Sequence, residues 1–372
     1  MNGTTEPLEL PRRRKALDVS SWSGSGAGSE IGLGETADLW LPVSESYTGV
    51  HLNIPIRVIR GLADGPVVGV TAALHGDEIN GTGSIQEIAS DASLRLLCGS
   101  LILVPVLNIL SFDRHSRYLP DRRDLNRCFP GSPDGSSASR VANQIFEQLI
   151  GRCDALIDLH TAAVRRTNYP QVRGDMTHPI VASMARAFGT EAIVDCRGVE
   201  GTLRRQAMAV GCPTIIMEGG EVWKVEPAIV ETAVRGIRNV LRRLGMLEGD
   251  LELADRQVVL KQTRWVRAGR GGFLRFHVRP GGLVERDQPL ATNTDLLGRE
   301  LGMLRSPFDG LVLGMTTLPS VSPGEPVCHI GRLPTSVDPE DVRISRREGE
   351  GLERRTVKDL GSNVRIVKPE GD

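Results

Sequence analysis

The sequence predicts an α/β fold with a mostly parallel or mixed central sheet, followed by a small all-β module. Three observations carry this. Between residues 36 and 250, short and nearly continuous apolar runs alternate with segments of helical spacing, the pattern of strands buried on both faces. Ahead of them, two stretches alternate apolar and polar residues, as half-buried strands do. Beyond residue 255 the texture changes to short strand-like pieces broken by Gly-Gly and Pro-Gly turns.

Residues 1–35, rich in Gly, Ser, Arg and Glu, read as a flexible N-terminal segment. Ala37–Val43 and Val50–Ile59 form the alternating pair, expected to be antiparallel. Five buried strands are expected at Pro66–Leu74, Ser100–Val106, Ala155–Leu159, Glu191–Val194 and Pro213–Met217. Helices are expected at Gly81–Leu97, Ser139–Gly151, His178–Phe188 and Glu226–Leu244. The second of these is the clearest, with Val141, Ile145, Phe146, Leu149 and Ile150 on one stripe. The domain organisation is therefore an α/β domain at 36–250, an all-β domain at 255–335 and a charged tail at 336–372.

Composition excludes several classes. The chain has 372 residues, 40% hydrophobic and 24% charged, with 45 Lys and Arg against 46 Asp and Glu. A net charge of −1 gives no electrostatic case for nucleic acid or an anionic membrane as partner. No apolar run approaches the ~18 residues of a membrane span, and Met1–Ser20 lacks a signal-peptide core. Six scattered cysteines without a CxxC pair read as reduced thiols, so a cytoplasmic location is expected. The glycine-rich segments 24–34 and 269–272 do not join a strand to a helix, and no Gly-x-Ser-x-Gly elbow occurs.

The strongest local signal is Leu74-His75-Gly76-Asp77-Glu78, at a strand end where a helix begins. An imidazole and a carboxylate three residues apart on such a turn can face one cation, and Gly76 lets the chain bend between them. His160, at the end of Ala155–Leu159, closes the set. Two His and one Glu leave a position open for water, the pattern of a catalytic rather than a structural zinc site. The spacing is neither the HExxH nor the HxxEH helical motif.

Two further clusters accompany it. Arg117, Arg122, Arg123 and Arg127 crowd a Pro- and Gly-bounded loop, and guanidinium forks suit an acidic substrate group. The plainer alternative is a solvated loop paired with Asp121 and Asp124. Glu218 ends the apolar run Pro213–Met217 before Gly-Gly, where burial of a carboxylate is costly unless it is paired or has its pKa raised, which is how a general base is made.

His-Gly-Asp-Glu, Arg-Asp-Leu-Asn-Arg-Cys-Phe-Pro-Gly, Ile-Asp-Leu-His-Thr and Ile-Met-Glu-Gly-Gly, in this order, resemble the succinylglutamate desuccinylase/aspartoacylase family, a branch of the zinc carboxypeptidase-like superfamily. The resemblance spans about residues 45–245. It implies a zinc-carboxypeptidase-like α/β/α sandwich, one zinc ion per subunit on His75, Glu78 and His160, and Glu218 activating a water. It also implies that Asn126 and Arg127 hold the substrate carboxylate and that Arg117 polarises the scissile carbonyl, with Arg122 and Arg123 as rivals. Asp158 is the candidate to orient a zinc-bound His.

The C-terminal module resembles the barrel-sandwich fold of biotinyl and lipoyl carrier domains through Ser306–Val312 and Val321–Val327. Carriers need a Lys on a hairpin tip, and none lies between Lys261 and Lys358, so the expectation is that this module shapes the site mouth or mediates assembly. The expected activity is hydrolysis of the amide bond of a small acidic N-acyl amino acid or peptide-like substrate, with a homo-oligomer among the expected partners. A carboxypeptidase acting on short peptides and a non-catalytic zinc-binding homologue are the alternatives.

Overall fold

The computed structural model describes residues 7–11, 17–24, 31–46, 48–337, 342 and 351–369. Its first strands are β1 (Ser23–Gly24), β2 (Thr36–Glu45), β3 (His51–Arg60) and β4 (Val67–Ala72). Helix α1 (Asn80–Ser90), β5 (Ser100–Val104), the single turn α2 (Ile109–Phe112) and α3 (Ser137–Gln148) follow. Then come β6 (Ala155–His160), β7 (Arg166–Gly174), α4 (Pro179–Phe188), β8 (Ala192–Asp195), α5 (Leu203–Ala209), β9 (Thr214–Gly220) and α6 (Pro227–Arg243). The C-terminal part contributes β10 (Val258–Leu260), β11 (Thr263–Arg267), β12 (Gly272–Phe276), β13 (Leu283–Val284), β14 (Pro289–Thr294) and β15 (Glu300–Arg305). It closes with β16 (Gly310–Thr316), β17 (Ser320–Val321), β18 (Pro326–Arg332) and α7 (Leu352–Ser362).

The alternation of β2 places Ala37, Leu39, Leu41 and Val43 inside, and β2 pairs antiparallel with β3 as expected. Strands β4, β5 and β6 are buried on both faces and divide their side chains between two cores. Val68, Val70, Leu101, Leu103, Ile157 and Leu159 join α1, α4 and α6 in one core. Ile102, Val104 and Leu156 join α3 and α5 in the other. Helices therefore cover both faces of a mixed sheet, in which β5, β4, β6 and β9 run parallel, β3 runs antiparallel to β5, and β7 runs antiparallel to β9 and parallel to β8.

Close approach explains several glycines. A Cβ at Gly81 would lie 2.7 Å from the Leu159 side chain, so this glycine lets the first turn of α1 rest on the sheet. Helix α4 begins with Pro179 and ends at Gly189 with φ +90°, the usual start and stop chemistry.

Three differences from the sequence reading stand out. Strand β7 was not expected, because Arg-Thr-Asn-Tyr-Pro-Gln-Val-Arg-Gly has no apolar run, yet its middle is buried. The all-β module is not separate from the main sheet: β16 pairs antiparallel with β7, and β18 and β11 extend the same sheet outward. A second sheet, β15-β14-β12-β17, completes the module.

The tail also differs. Within the described part of 336–372, α7 buries Leu352, Thr356 and Leu360 against the core and is held by Arg235 of α6, whose Nη2 lies 2.8 Å from Glu353 Oε1. Of the expected N-terminal segment, residues 1–6, 12–16 and 25–30 lie outside the described residues. Trp22 within it is 2% exposed, with the Arg152 guanidinium 5.4 Å over its ring. Among the described residues no helix is long and apolar enough to cross a membrane.

Candidate active site

The C-terminal ends of the parallel strands β4, β6 and β9 meet at one place, the usual address for ligands in a sheet of this kind. Beyond β4, Ala73 adopts φ +49° and turns the chain so that His75 and Glu78 face inward. Gly76 is required by close approach: a Cβ there would sit 2.1 Å from the carbonyl carbon of Ser111. Asn108 ties this loop to the next, donating from Nδ2 to the Leu74 carbonyl and accepting from Ser111 N.

His75, Glu78 and His160 come together, each buried, with one possible ligand atom from each within 4.8 Å of the others. Glu78 sits between the rings: Oε1 is 2.7 Å from His75 Nδ1, and Oε2 is 2.9 Å from His160 Nδ1. The Thr161 backbone N–H also donates to Oε2. Each imidazole has its other nitrogen on a carboxylate. His160 Nε2 lies 2.8 Å from Asp158 Oδ2, and His75 Nε2 lies 3.2 Å from Asp124 Oδ1. Outer carboxylates of this kind fix ring orientation and leave the inward nitrogen to a metal.

Burial would raise the Glu78 carboxyl, but the two imidazoles outweigh it and hold it far below the ordinary carboxylate range. Burial likewise opposes the imidazolium at His75 and His160, and the neighbouring carboxylates overcome it, so both are raised. Asp77 is pushed up by burial and then by Glu78, and its Oδ1 is a buried oxygen with no hydrogen-bond partner among the described residues. The cluster is a buried set of two imidazoles and an ionised carboxylate, a donor set that suits a zinc ion.

Arg117 reaches this centre. Its Nη1 is 3.2 Å from Glu78 Oε1 and its Nη2 is 3.0 Å from Asp124 Oδ2. Arg122 and Arg123 are exposed, the latter bonding Ser136 Oγ. Both sequence readings of this loop thus meet: Arg117 is paired with Asp124 and is also turned into the site. Asn126 is buried, and its Oδ1 accepts from Leu203 N at 2.9 Å, anchoring the start of α5. Arg127 is exposed, with Nη1 on the Asn126 carbonyl.

Glu218 stands on β9 directly beside His160 in the parallel register. Asn168 Nδ2 donates to its Oε2 at 2.9 Å, and Arg173 Nη1 lies 3.4 Å from its Oε1. Sequence reasoning missed Asn168 and Arg173. The signal available was the run of polar residues itself, with Pro170 inside the register shift between Asn168 and Gln171 where β7 pairs with β9.

Comparison with known proteins agrees with this geometry. Residues 64–244 match the succinylglutamate desuccinylase/aspartoacylase catalytic domain. The N-alpha-acetyl-L-2,4-diaminobutyric acid deacetylase of Halomonas elongata is 27% identical over 318 residues, 80% of this chain and 92% of that protein. Among solved structures, the product-bound ectoine utilization protein EutE (DoeB) of Ruegeria pomeroyi superposes with a TM-score of 0.73 at 25% identity, covering 84% of this chain and 99% of that one. A succinylglutamate desuccinylase/aspartoacylase from Rhodobacter sphaeroides gives 0.70 at 25% identity, covering 81% and 96%. With the buried His75–Glu78–His160 group at its strand ends, the segment 64–244 is a catalytic domain of the succinylglutamate desuccinylase/aspartoacylase family.

Proposed function

We propose that the chain is a zinc-dependent hydrolase that cleaves the amide bond of an N-acyl amino acid, within a carboxypeptidase-like α/β/α catalytic domain at residues 36–250. The observation that carries this reading is the adjacency of Glu218 to the His75–Glu78–His160 group through its register with His160. The names of the relatives, a deacetylase and a desuccinylase/aspartoacylase, support the reaction type.

His75, Glu78 and His160 would hold the ion through Nδ1, a carboxylate oxygen and Nδ1. Bound there, zinc supplies Lewis acidity that makes a neighbouring water acidic and the amide carbonyl electrophilic. Glu218 takes the proton from the attacking water and delivers it to the departing amine as the C–N bond breaks. Asn168 and Arg173 hold the Glu218 carboxylate in place from β7. The Arg117 guanidinium stabilises negative charge as it develops on the carbonyl oxygen; its contact with Glu78 supports this role over the exposed Arg122 and Arg123. Asn126 and Arg127 take the substrate carboxylate, fixing the amide against the reacting groups.

The test is metal content of the purified chain together with turnover of N-acetyl and N-succinyl amino acids against dipeptides. About one zinc per chain with release of acetate or succinate supports the reading. Cleavage of dipeptides alone would replace it with a carboxypeptidase, and bound zinc with no turnover of any of them would reduce it to a binding protein.

A further inference from the structure

Beyond Glu218, β9 runs into a loop that its own hydrogen bonds make stiff. Gly220 turns the chain with φ +74°, and a Cβ there would lie 2.0 Å from Glu226 Oε2. That oxygen accepts from the Glu221 backbone N–H at 2.8 Å and from Asn80 Nδ2 at 2.9 Å. Asn80 in turn accepts from the Glu226 backbone N–H, at 2.7 Å from its Oδ1. Asn80 is 1% exposed and begins α1, two residues after Glu78. The loop after the candidate base is thereby fixed to the helix start that follows the candidate ligands.

Trp223 stands on this loop and reaches the two others that build the site. Its backbone N–H donates at 2.9 Å to the carbonyl of Asp77, between His75 and Glu78 in the chain. Its indole Nε1 donates at 3.0 Å to the carbonyl of His115, two residues before Arg117. Burial does not account for this side chain, which is 55% exposed. Trp223 has φ +59° and His115 φ +48°, a left-handed backbone that residues other than glycine rarely adopt. Such conformations persist where surrounding contacts over-determine them, and they gather at functional sites. Residues 113–115 are exposed, and among the described residues every other hydrogen bond at 113–116 comes from within 109–118. The indole is what ties this turn to the rest of the molecule.

The tie matters for Arg117 because its partners at the site belong to the ligand cluster itself. One is Glu78, a candidate ligand, and the other is Asp124, which bonds His75. We propose that Trp223 is a positioning residue, holding the 113–117 turn so that the Arg117 guanidinium meets the charge developing on the carbonyl oxygen. This rests on the hydrolase reading and goes beyond its reacting groups. Asn126 is anchored separately, its N–H on Asp124 Oδ1 at 2.9 Å and its Oδ1 on the start of α5. A displaced turn therefore weakens stabilisation of the transition state and leaves capture of the substrate carboxylate intact.

The test compares the full zinc-loaded chain with Trp223→Phe, which keeps an aromatic ring and removes the indole donor, on N-acetyl and N-succinyl amino acids. The substitution should lower kcat about tenfold, with KM and zinc content unchanged. In an Arg117→Ala background the same substitution should change kcat by less than about twofold, because Trp223 acts through Arg117. Wild-type kcat in Trp223→Phe, a loss carried by KM, or a loss of equal size without Arg117 overturns the positioning role. Should Trp223→Phe fail to fold, benzothienylalanine at position 223 keeps the shape of the ring with sulfur in place of the N–H, and the same outcomes decide. Hydrogen exchange at the amides of 113–118 reads the tie without turnover. It should quicken about tenfold in Trp223→Phe, with 155–160 unmoved. Should no acyl amino acid be hydrolysed, the hydrolase reading falls, while faster exchange still upholds the tie and equal exchange removes it.

Discussion

Asp158 holds His160 from behind: its Oδ2 lies 2.8 Å from His160 Nε2, and its Oδ1 accepts from Thr71 Oγ1 at 2.7 Å. Two residues apart on β6, the pair shares one face of a fully buried strand. The carboxylate therefore sets which way the ring turns and which nitrogen faces Glu78. Asp158→Asn keeps the shape and removes the charge. Zinc affinity is expected to fall roughly 10–100-fold, with the far-ultraviolet circular dichroism of the wild type retained. Competition titration with a chelator measures it, and wild-type affinity in the variant would refute the orienting role.

Glu218 is held on both oxygens, by Asn168 and by Arg173, so its position does not depend on the metal group. Glu218→Gln is expected to bind zinc as the wild type does while losing roughly 10²–10⁴-fold in kcat. Metal analysis and steady-state kinetics on the same preparation separate the two effects. Activity within tenfold of wild type would assign the proton transfer elsewhere.

Gly76 connects the fold to the chemistry. A methyl group there would fall 2.1 Å from Ser111 C and 2.3 Å from Ser111 O, both backbone atoms that cannot swing away. Gly76→Ala must push apart the loop carrying His75 and Glu78 and the turn leading to Arg117. A destabilisation of about 1–3 kcal/mol is expected, with metal affinity reduced alongside. Denaturant unfolding with and without added zinc measures both, and wild-type values for each would show that the loops can separate freely.

The parts of the molecule legible in the sequence are those where burial and chemistry coincide. The run before His75 is apolar because β4 is covered on both sides, so its end, and the position of His75 and Glu78 just beyond it, could be read from residue types alone. The same holds for Ala155–His160 and for the strand leading to Glu218. Strand β7 was illegible for the opposite reason. Asn168 and Arg173 serve Glu218, so part of the strand is polar although buried, and no apolar period remains to betray it. The joining of the two parts into one sheet also left no local mark. It depends on β16 pairing with β7 through backbone hydrogen bonds at Thr167, Asn168 and their partners, which any residue types can make.

His329 gives the stability a predictable pH dependence. It is 8% exposed, stacked on Trp265, and its pKa is pushed down to about 3 by burial and then by Arg173, against 6.5 when unperturbed. Because the folded value is the lower one, the unfolded chain binds a proton between these values that the folded chain refuses. The neutral ring costs nothing above pH 6.5. As pH falls from 6.5 toward 3, this residue alone removes about 1.4 kcal/mol of stability per pH unit. His329→Phe keeps an aromatic ring beside Trp265 and has no proton to gain. The difference in unfolding free energy between variant and wild type should therefore shift in the variant's favour from pH 7 to pH 5, by about 2 kcal/mol over the lower one and a half units. Urea unfolding of both proteins at pH 7, 6 and 5 measures this, and a difference constant with pH would mean that the ring protonates as readily in the folded chain as in the unfolded one.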